Sequence, residues 1–458
     1  MRQISSTTAI ITLILIASLA LNYFLFRELQ GKSSTISYLR NLNAKLQGEV
    51  GELRPLKKTS DEEGEREAVV DDICRIRMLP LKHALKFSEM DREELESYIE
   101  DEIEEQYPGE KMEHLMRALV RFGFTDKGFD LKEKIVDLYT EQVGGLYDND
   151  TDTLCFIEGA PATGSIARTF LAHEVVHALQ DQHLGLDELP LKLKNNDDRV
   201  LACVALVEGD ATVAMFQFYL SQVNMGTLAD LVTATFTDSK EYSDAPDFIK
   251  ENMMFPYVQG AAFVSDLFAD GGWARVNAVY GEPPASTEQI MHPEKYIGAR
   301  DDPVPVSLPD LEILGWKKLE ENVLGEFNTF VLLKLRLDVK DAEEASEGWG
   351  GDRFGFYERD GHELLVWLSV WDTDRDAAEF TASFRKFSEE ARGLAPDGAD
   401  ADGLDLTWSS ENDIFFLGSR GRETLFISGS LGADVPAVRN GFERFKTEEE
   451  THETAVSG

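Results

Sequence analysis

Residues 169–183 read TFLAHEVVHALQDQH, an apolar run at helical spacing interrupted in its middle by His173, Glu174 and His177. A surface helix would put such groups in water, and a core helix would avoid them. On a helix, residues four apart lie one turn above each other, so His173 and His177 present two imidazoles to one point in space. A second long apolar run, from about 197 to 220, carries an acid equally out of place: Glu208 in ALVEGDAT. A buried carboxylate without a partner costs stability, so Glu208 needs a cation or a proton. The intervening residues 178–207 suffice for a turn, a loop and an antiparallel return. The fold must therefore bring two helices together around a shared polar point.

The rest of the 458 residues arrange around that pair as an α+β chain. Amphipathic helical patterns recur from 68 to 142. Residues 144–159, GGLYDNDTDTLCFIEG, place two β-prone runs around a polar turn and read as a hairpin. The motif helix follows at about 165–183, then the helix of 197–220, then more helix between 226 and 280 with a turn at Gly271-Gly272-Trp273. Three prolines in 282–296 end this first unit. Beyond 300 the pattern changes to a helix near 324–346, strands at 354–358 and 363–370, a helix at 374–391, strands at 405–409, 413–417 and 424–429, and a last helix at 434–446. That is a small α+β module with a largely antiparallel sheet. The boundaries expected are an N-terminal anchor or signal segment (1–27), a helical stalk and charged hinge (28–67), a first domain (68–298), a second (299–447) and a disordered tail (448–458).

The net charge is −40. An acidic excess of that size argues against nucleic acid as a partner, because phosphate would be repelled, and against tight docking on anionic lipid. It is read as a heavily solvated surface rather than as a site for a cationic partner. Cys74, Cys155 and Cys203 lack any CxxC spacing and read as small buried apolar residues. Residues 8–26, TAIITLILIASLALNYFLF, are uncharged and long enough to cross a bilayer core of roughly 30 Å. A cleaved signal peptide competes, with Ser18-Leu19-Ala20 as its cleavage site, but the apolar run continues past that point and favours a retained anchor. Arg27, Lys32, Arg40 and Lys45 after the span would, by the positive-inside rule, hold the body in the cytoplasm. The opposite orientation, with the body outside, is preferred because short N-terminal anchors usually export the chain attached to them. Either way the membrane is a partner through this segment.

The chemistry that suits the histidine pair is metal binding. Zinc takes nitrogen ligands at about 2.0–2.1 Å, and catalytic zinc uses three protein ligands with one position left for water. His173 and His177 supply two ligands, and Glu208 is the candidate third. Glu174, beside His173, can reach the metal-bound water without ligating, which is the division of labour in HExxH. Asp210 and Thr212 lie near Glu208, and Asp210 is the better candidate to accept the second N–H of a ligating histidine. His183 falls beyond the expected helix end and reads as a surface or capping residue. Trp349, Trp367 and Trp371 read as core. Against the metal stands a helix whose histidines hydrogen-bond within a polar interface, with Glu208 protonated or ion-paired.

HEVVH followed by EGDA resembles the gluzincin metallopeptidases over roughly residues 130–215. The resemblance implies a mainly helical zincin-like domain, with zinc held by His173, His177 and Glu208 and with Glu174 as general base. It also implies an edge strand that pairs with the substrate backbone, for which the 146–157 hairpin is in the right place. A Tyr or His that stabilises the oxyanion is expected, and Tyr257, His292 and Tyr296 are the candidates. Segment 255–296 resembles uncharacterised membrane-anchored microbial members of that group. The implied activity is hydrolysis of peptide bonds in a peptide or protein substrate by a membrane-anchored enzyme, with Glu174 moving the proton from water to the leaving amine. A catalytically silent scaffold that keeps the fold is the alternative, and another zinc hydrolase a third.

Overall fold

The computed structural model describes residues 62–149, 151–159, 164–222, 242, 244–399 and 405–442. The apolar segment 8–26, the stalk at 28–56 and the tail at 448–458 lie outside the described residues. The chain is α+β.

The helical half starts with α1 (Glu62–Arg77), so Glu62–Glu67, expected in a charged hinge, already belong to a helix. β1 (Lys86–Met90) follows, then α2 (Arg92–Gln106), α3 (Lys111–Phe122) and α4 (Leu131–Gln142). Asp91 and Glu94 form a reciprocal capping box at the start of α2, satisfying two backbone donors that the first turn leaves free. The hairpin is present as β2 (Gly145–Asp148) and β3 (Thr153–Ile157), joined antiparallel. β1 adds to the other side of β3 in parallel, giving the order β1-β3-β2. β1 has no sequence signature as a strand: KFSEM is mostly exposed, and only its pairing with β3 makes it one.

α5 (Gly164–Leu184) carries HEVVH, and α6 (Asp197–Gln222) carries EGDA. α6 is long and apolar enough to cross a membrane, alone in this among the described residues, yet 89% of its apolar window is buried in the protein. It is the central core helix. α7 (Asp247–Val279) packs along it, broken at Gly271 and Gly272, where Gly272 has φ +65. The expected turn at 271–273 is thus a kink between two helical stretches. The closest approach of α6 and α7 is glycine on backbone. A Cβ on Gly209 would sit 2.2 Å from the Gly260 carbonyl, and one on Gly260 would sit 2.1 Å from the Ala205 carbonyl oxygen. The glycine of EGDA therefore sets how near α7 comes to Glu208.

Two short helices, α8 (Thr287–Met291) and α9 (Glu294–Ile297), lead to the sheet half. Its strands are β4 (Lys317–Asn322), β5 (Trp349–Arg359), β6 (His362–Trp371), β7 (Gly398–Ala399), β8 (Asp405–Ser409), β9 (Asp413–Arg420) and β10 (Glu423–Ser430). They form one antiparallel sheet in the order β4-β5-β6-β10-β9-β8-β7. The expected helix at 324–346 is two, α10 (Gly325–Lys334) and α11 (Val339–Ser346). α12 (Asp374–Arg392) and α13 (Val435–Asn440) complete the helices among the described residues. β6 reads HELLVWLSVW because both its faces are covered. Leu365 and Trp367 face the helices, while Leu364 and Val366 face a second cluster around Trp316 and Val438. Trp349, Trp367 and Trp371 are core residues, each buried.

One hydrophobic cluster runs from Val69 in α1 to Phe426 in β10, so the helical half and the sheet share a core. Polar bonds cross the same boundary. Arg117 and Arg121 of α3 bond Glu358, Glu363 and Asp413 of the sheet. Asp198 of α6 accepts from Thr287 of α8, and Asp352 of β5 accepts the backbone amides of Leu324 and Gly325 that open α10.

Candidate metal centre

α5 and α6 cross so that His173 and His177 meet Glu208. His173 Nε2 lies 3.2 Å from Glu208 Oε2, and His177 Nε2 lies 3.6 Å from Glu208 Oε1. One ligand atom from each residue lies within 4.8 Å of the others. A tetrahedral ion with arms of about 2.0–2.1 Å has ligand-to-ligand edges of about 3.3 Å, close to the two distances from the histidines to Glu208. All three side chains are fully buried.

The donor set fits a cation. Burial pulls the His173 pKa down to about 3, partly opposed by Asp210, and pulls His177 down to about 4, opposed chiefly by Glu208. Both imidazoles are therefore neutral near pH 7, as metal ligation requires. Burial pushes Glu208 up to about 7, with His177 and Tyr257 opposing the shift. His177 Nε2 and Glu208 Oε1 find no hydrogen-bond partner in normal geometry. Buried polar atoms are seldom left unsatisfied, and here they converge on one point.

Glu174 sits beside His173, almost wholly buried, with both carboxylate oxygens lacking a regular hydrogen bond. Burial first, and then the charge of Glu208, lift its pKa well above the ordinary carboxylate range; the backbone amide of Tyr147 in β2 draws it partly back. That amide brings the edge strand up to the motif helix. Tyr257 of α7 places its ring 6.2 Å from that of His173. Its phenol is raised far above its usual value by burial, then by Glu208, Tyr139 and Glu174.

Gln180, one turn after His177, is a partner that the sequence motif does not single out. His177 Nδ1 donates to Gln180 Oε1 at 2.8 Å, and Gln180 Nε2 donates to the Val207 carbonyl at 2.8 Å. Asp210, expected to take a histidine N–H, instead forms a fully buried pair with Arg77 of α1 and accepts from Tyr280 at 2.8 Å. Arg77 in turn lies 4.2 Å over the Trp273 ring and donates to Asn277. Thr212 is buried, and its hydroxyl has no partner. Tyr139 of α4 is a further neighbour without a sequence signal; burial and the nearby Glu208 charge raise its phenol.

The other oxyanion candidates are engaged elsewhere. His292 bonds Glu326 at 2.8 Å, and Tyr296 donates to the Glu282 carbonyl at 2.5 Å. His183 lies within the last turn of α5 rather than beyond it, bonded to the Pro80 carbonyl. A second acidic group, Glu288, Asp301 and Asp372, already holds a cation of its own chain: Lys295 Nζ lies 2.6, 3.3 and 2.8 Å from the three.

Residues 313–439 match a family described as a domain of unknown function (DUF8575). No curated protein and no solved structure matches the chain. The matched segment is the sheet half with its helices, from just before β4 to the last turns of α13, and the His173–His177–Glu208 cluster lies outside it.

Proposed function

We propose that the helical half is a zincin-like peptidase domain whose zinc is held by His173, His177 and Glu208. The observation that carries the reading is the convergence of those three buried donors beside the carboxylate of Glu174, which no side chain pairs. Zinc bound there supplies Lewis-acid chemistry, lowering the pKa of water towards about 7 and polarising a carbonyl. Glu174 accepts the proton of the attacking water and delivers it to the leaving amine. Gln180 holds His177 with its Nδ1 protonated, which directs the Nε2 lone pair inward. Tyr257 is the hydroxyl nearest the cluster on α7 and is the donor for the developing oxyanion. The edge of β2, next to α5, is the element against which a peptide backbone would be laid. In this reading residues 8–26 anchor the chain in a membrane with the body outside, and the substrate is a peptide or protein.

A second reading has an observation of its own. His173, Glu174, His177 and Glu208 are each at most 1% exposed, which suits a buried metal in a silent scaffold. Digestion of a broad peptide library by the zinc-loaded full chain separates the two. The peptidase cleaves peptides, and Glu174→Gln keeps the zinc while abolishing cleavage. Zinc without turnover in the parent chain supports the scaffold, and a Glu174→Gln variant as active as the parent removes Glu174 as the base.

A further inference from the structure

Far from α5 along the chain, α3, the loop after it, the end of α12 and strands β9 and β10 enclose an open cavity of about 380 Å³. Its lining is basic in a chain whose net charge is −40: Arg121, Lys127, Arg336 and Arg392 against Asp126 and Asp413. Arg121 is already neutralised, by Glu363 and by Asp413.

Arg392 is not. Its guanidinium lies 4.4 Å from the ring centre of Phe415 and 5.5 Å from that of Phe426. Nη2 donates to the Arg121 carbonyl at 3.4 Å, while Nη1 is buried and donates to nothing. Ser428 of β10, on the same wall and fully buried, has a hydroxyl that is likewise without a partner. Two independent donors on one cavity wall are thus unsatisfied, one of them cationic. Burial lowers the Arg392 pKa to about 10, with Asp413 opposing and Arg121 adding to the shift. Arg392 is only partly buried, but its Nη1 is shut off from water, and a guanidinium held so without a direct counter-ion is costly unless something supplies the anion.

We propose that this cavity binds a small organic carboxylate with an apolar body. Its carboxylate lies beside the Arg392 guanidinium, on the wall that Ser428 shares, and its body lies against Phe124 and Phe415. Lys127 and Arg336 at the exposed rim attract it. A carboxylate fits better than a phosphate ester because Asp413, on the same wall, opposes a second negative charge. The volume is within the range of small-molecule sites. The same carboxylate chemistry occurs on a free acid and at the C-terminus of a peptide.

Calorimetric titration of the full chain at low salt tests this, with benzoate, phenyl phosphate, and a peptide ending in phenylalanine with a free or an amidated C-terminus. The expected result is saturable binding of benzoate or of the free-acid peptide, and none of the amide. Benzoate binding as tightly as the peptide assigns the site to free acids, and binding of the peptide acid alone assigns it to chain ends. Arg392→Gln lowers the affinity at least tenfold. Lys127→Glu with Arg336→Glu, both at exposed positions that leave folding intact, weakens binding several-fold and flattens its salt dependence. Absence of carboxylate binding by the parent overturns the proposal, as does tighter binding of phenyl phosphate than of benzoate. Parental affinity in the rim variant does the same, and that arm decides the matter if Arg392→Gln does not fold.

Discussion

Gln180 bonds the Nδ1 of His177 and, through its amide nitrogen, the carbonyl of Val207, both at 2.8 Å. One side chain thereby fixes the tautomer of a candidate ligand on α5 and ties it to the peptide that precedes Glu208 on α6. Partners of this kind orient metal-binding histidines, and their loss typically costs 10–100-fold in affinity. Gln180→Leu is expected to weaken zinc binding by about that factor, while Gln180→Glu, which retains an acceptor, weakens it less. Competition with a chromophoric chelator measures both. Equal affinity in Gln180→Leu and the parent would remove Gln180 from the metal centre.

The approach of α6 to α7 at Gly209 and Gly260 predicts a steric penalty. In Gly260→Ala the new methyl carbon would meet the Ala205 carbonyl oxygen at 2.1 Å. The atom it meets is backbone, so the helices must separate. Overpacking of this kind costs about 1–3 kcal/mol, occasionally more, read as a lowered midpoint of urea unfolding. Tyr257, one turn before Gly260, would also draw away from Glu208. A variant with the parental midpoint would mean that the two backbones do not meet there.

His292 and Glu326 give a pH dependence with a definite sign. The hydrogen bond to Glu326 raises the His292 pKa, against burial, and the charges of Glu326, Glu288 and Glu294 add to it. A histidine whose folded pKa is raised contributes its full stability below its unfolded value of about 6.5 and loses it as pH rises through the folded value. The stability gap between the parent and His292→Gln should be at its full size below about pH 6.5 and shrink as pH rises through the raised folded value. Denaturant midpoints across that range test it, and a gap that widens with pH would contradict the pairing.

Several parts of this arrangement are legible in the residues. The four-residue spacing of His173 and His177 defines one helical face, and Glu208 stands out as an acid directly after the apolar stretch 200–207, so their meeting needs only that the two helices pack. Arg77, between Ile76 and Met78, carries the same kind of signal, whereas Gln180 is masked by the polar run Asp181-Gln182-His183 that follows it; neither belongs to a recognised motif. Asp210 looks like a histidine partner because nothing in the sequence tells that α1, far away in the chain, delivers Arg77 to it. β1 and β4 are hidden for a different reason. KFSEM and KKLEEN are charged edge strands without a clean alternation, defined by the neighbour they pair with rather than by their own pattern. The change of composition near 282–300 suggests a boundary, yet the core passes through it, because α8 and α10 are held together by Asp198, Thr287 and Asp352, polar residues that hydropathy cannot place.

The most direct measurement is the metal content of the purified full chain after exposure to zinc and removal of the excess. About one zinc per chain is expected, retained in Glu174→Gln and lost in Glu208→Ala. A parent chain that holds no stoichiometric divalent metal, or a Glu208→Ala variant that holds as much as the parent, would contradict the assignment of His173, His177 and Glu208 as its ligands.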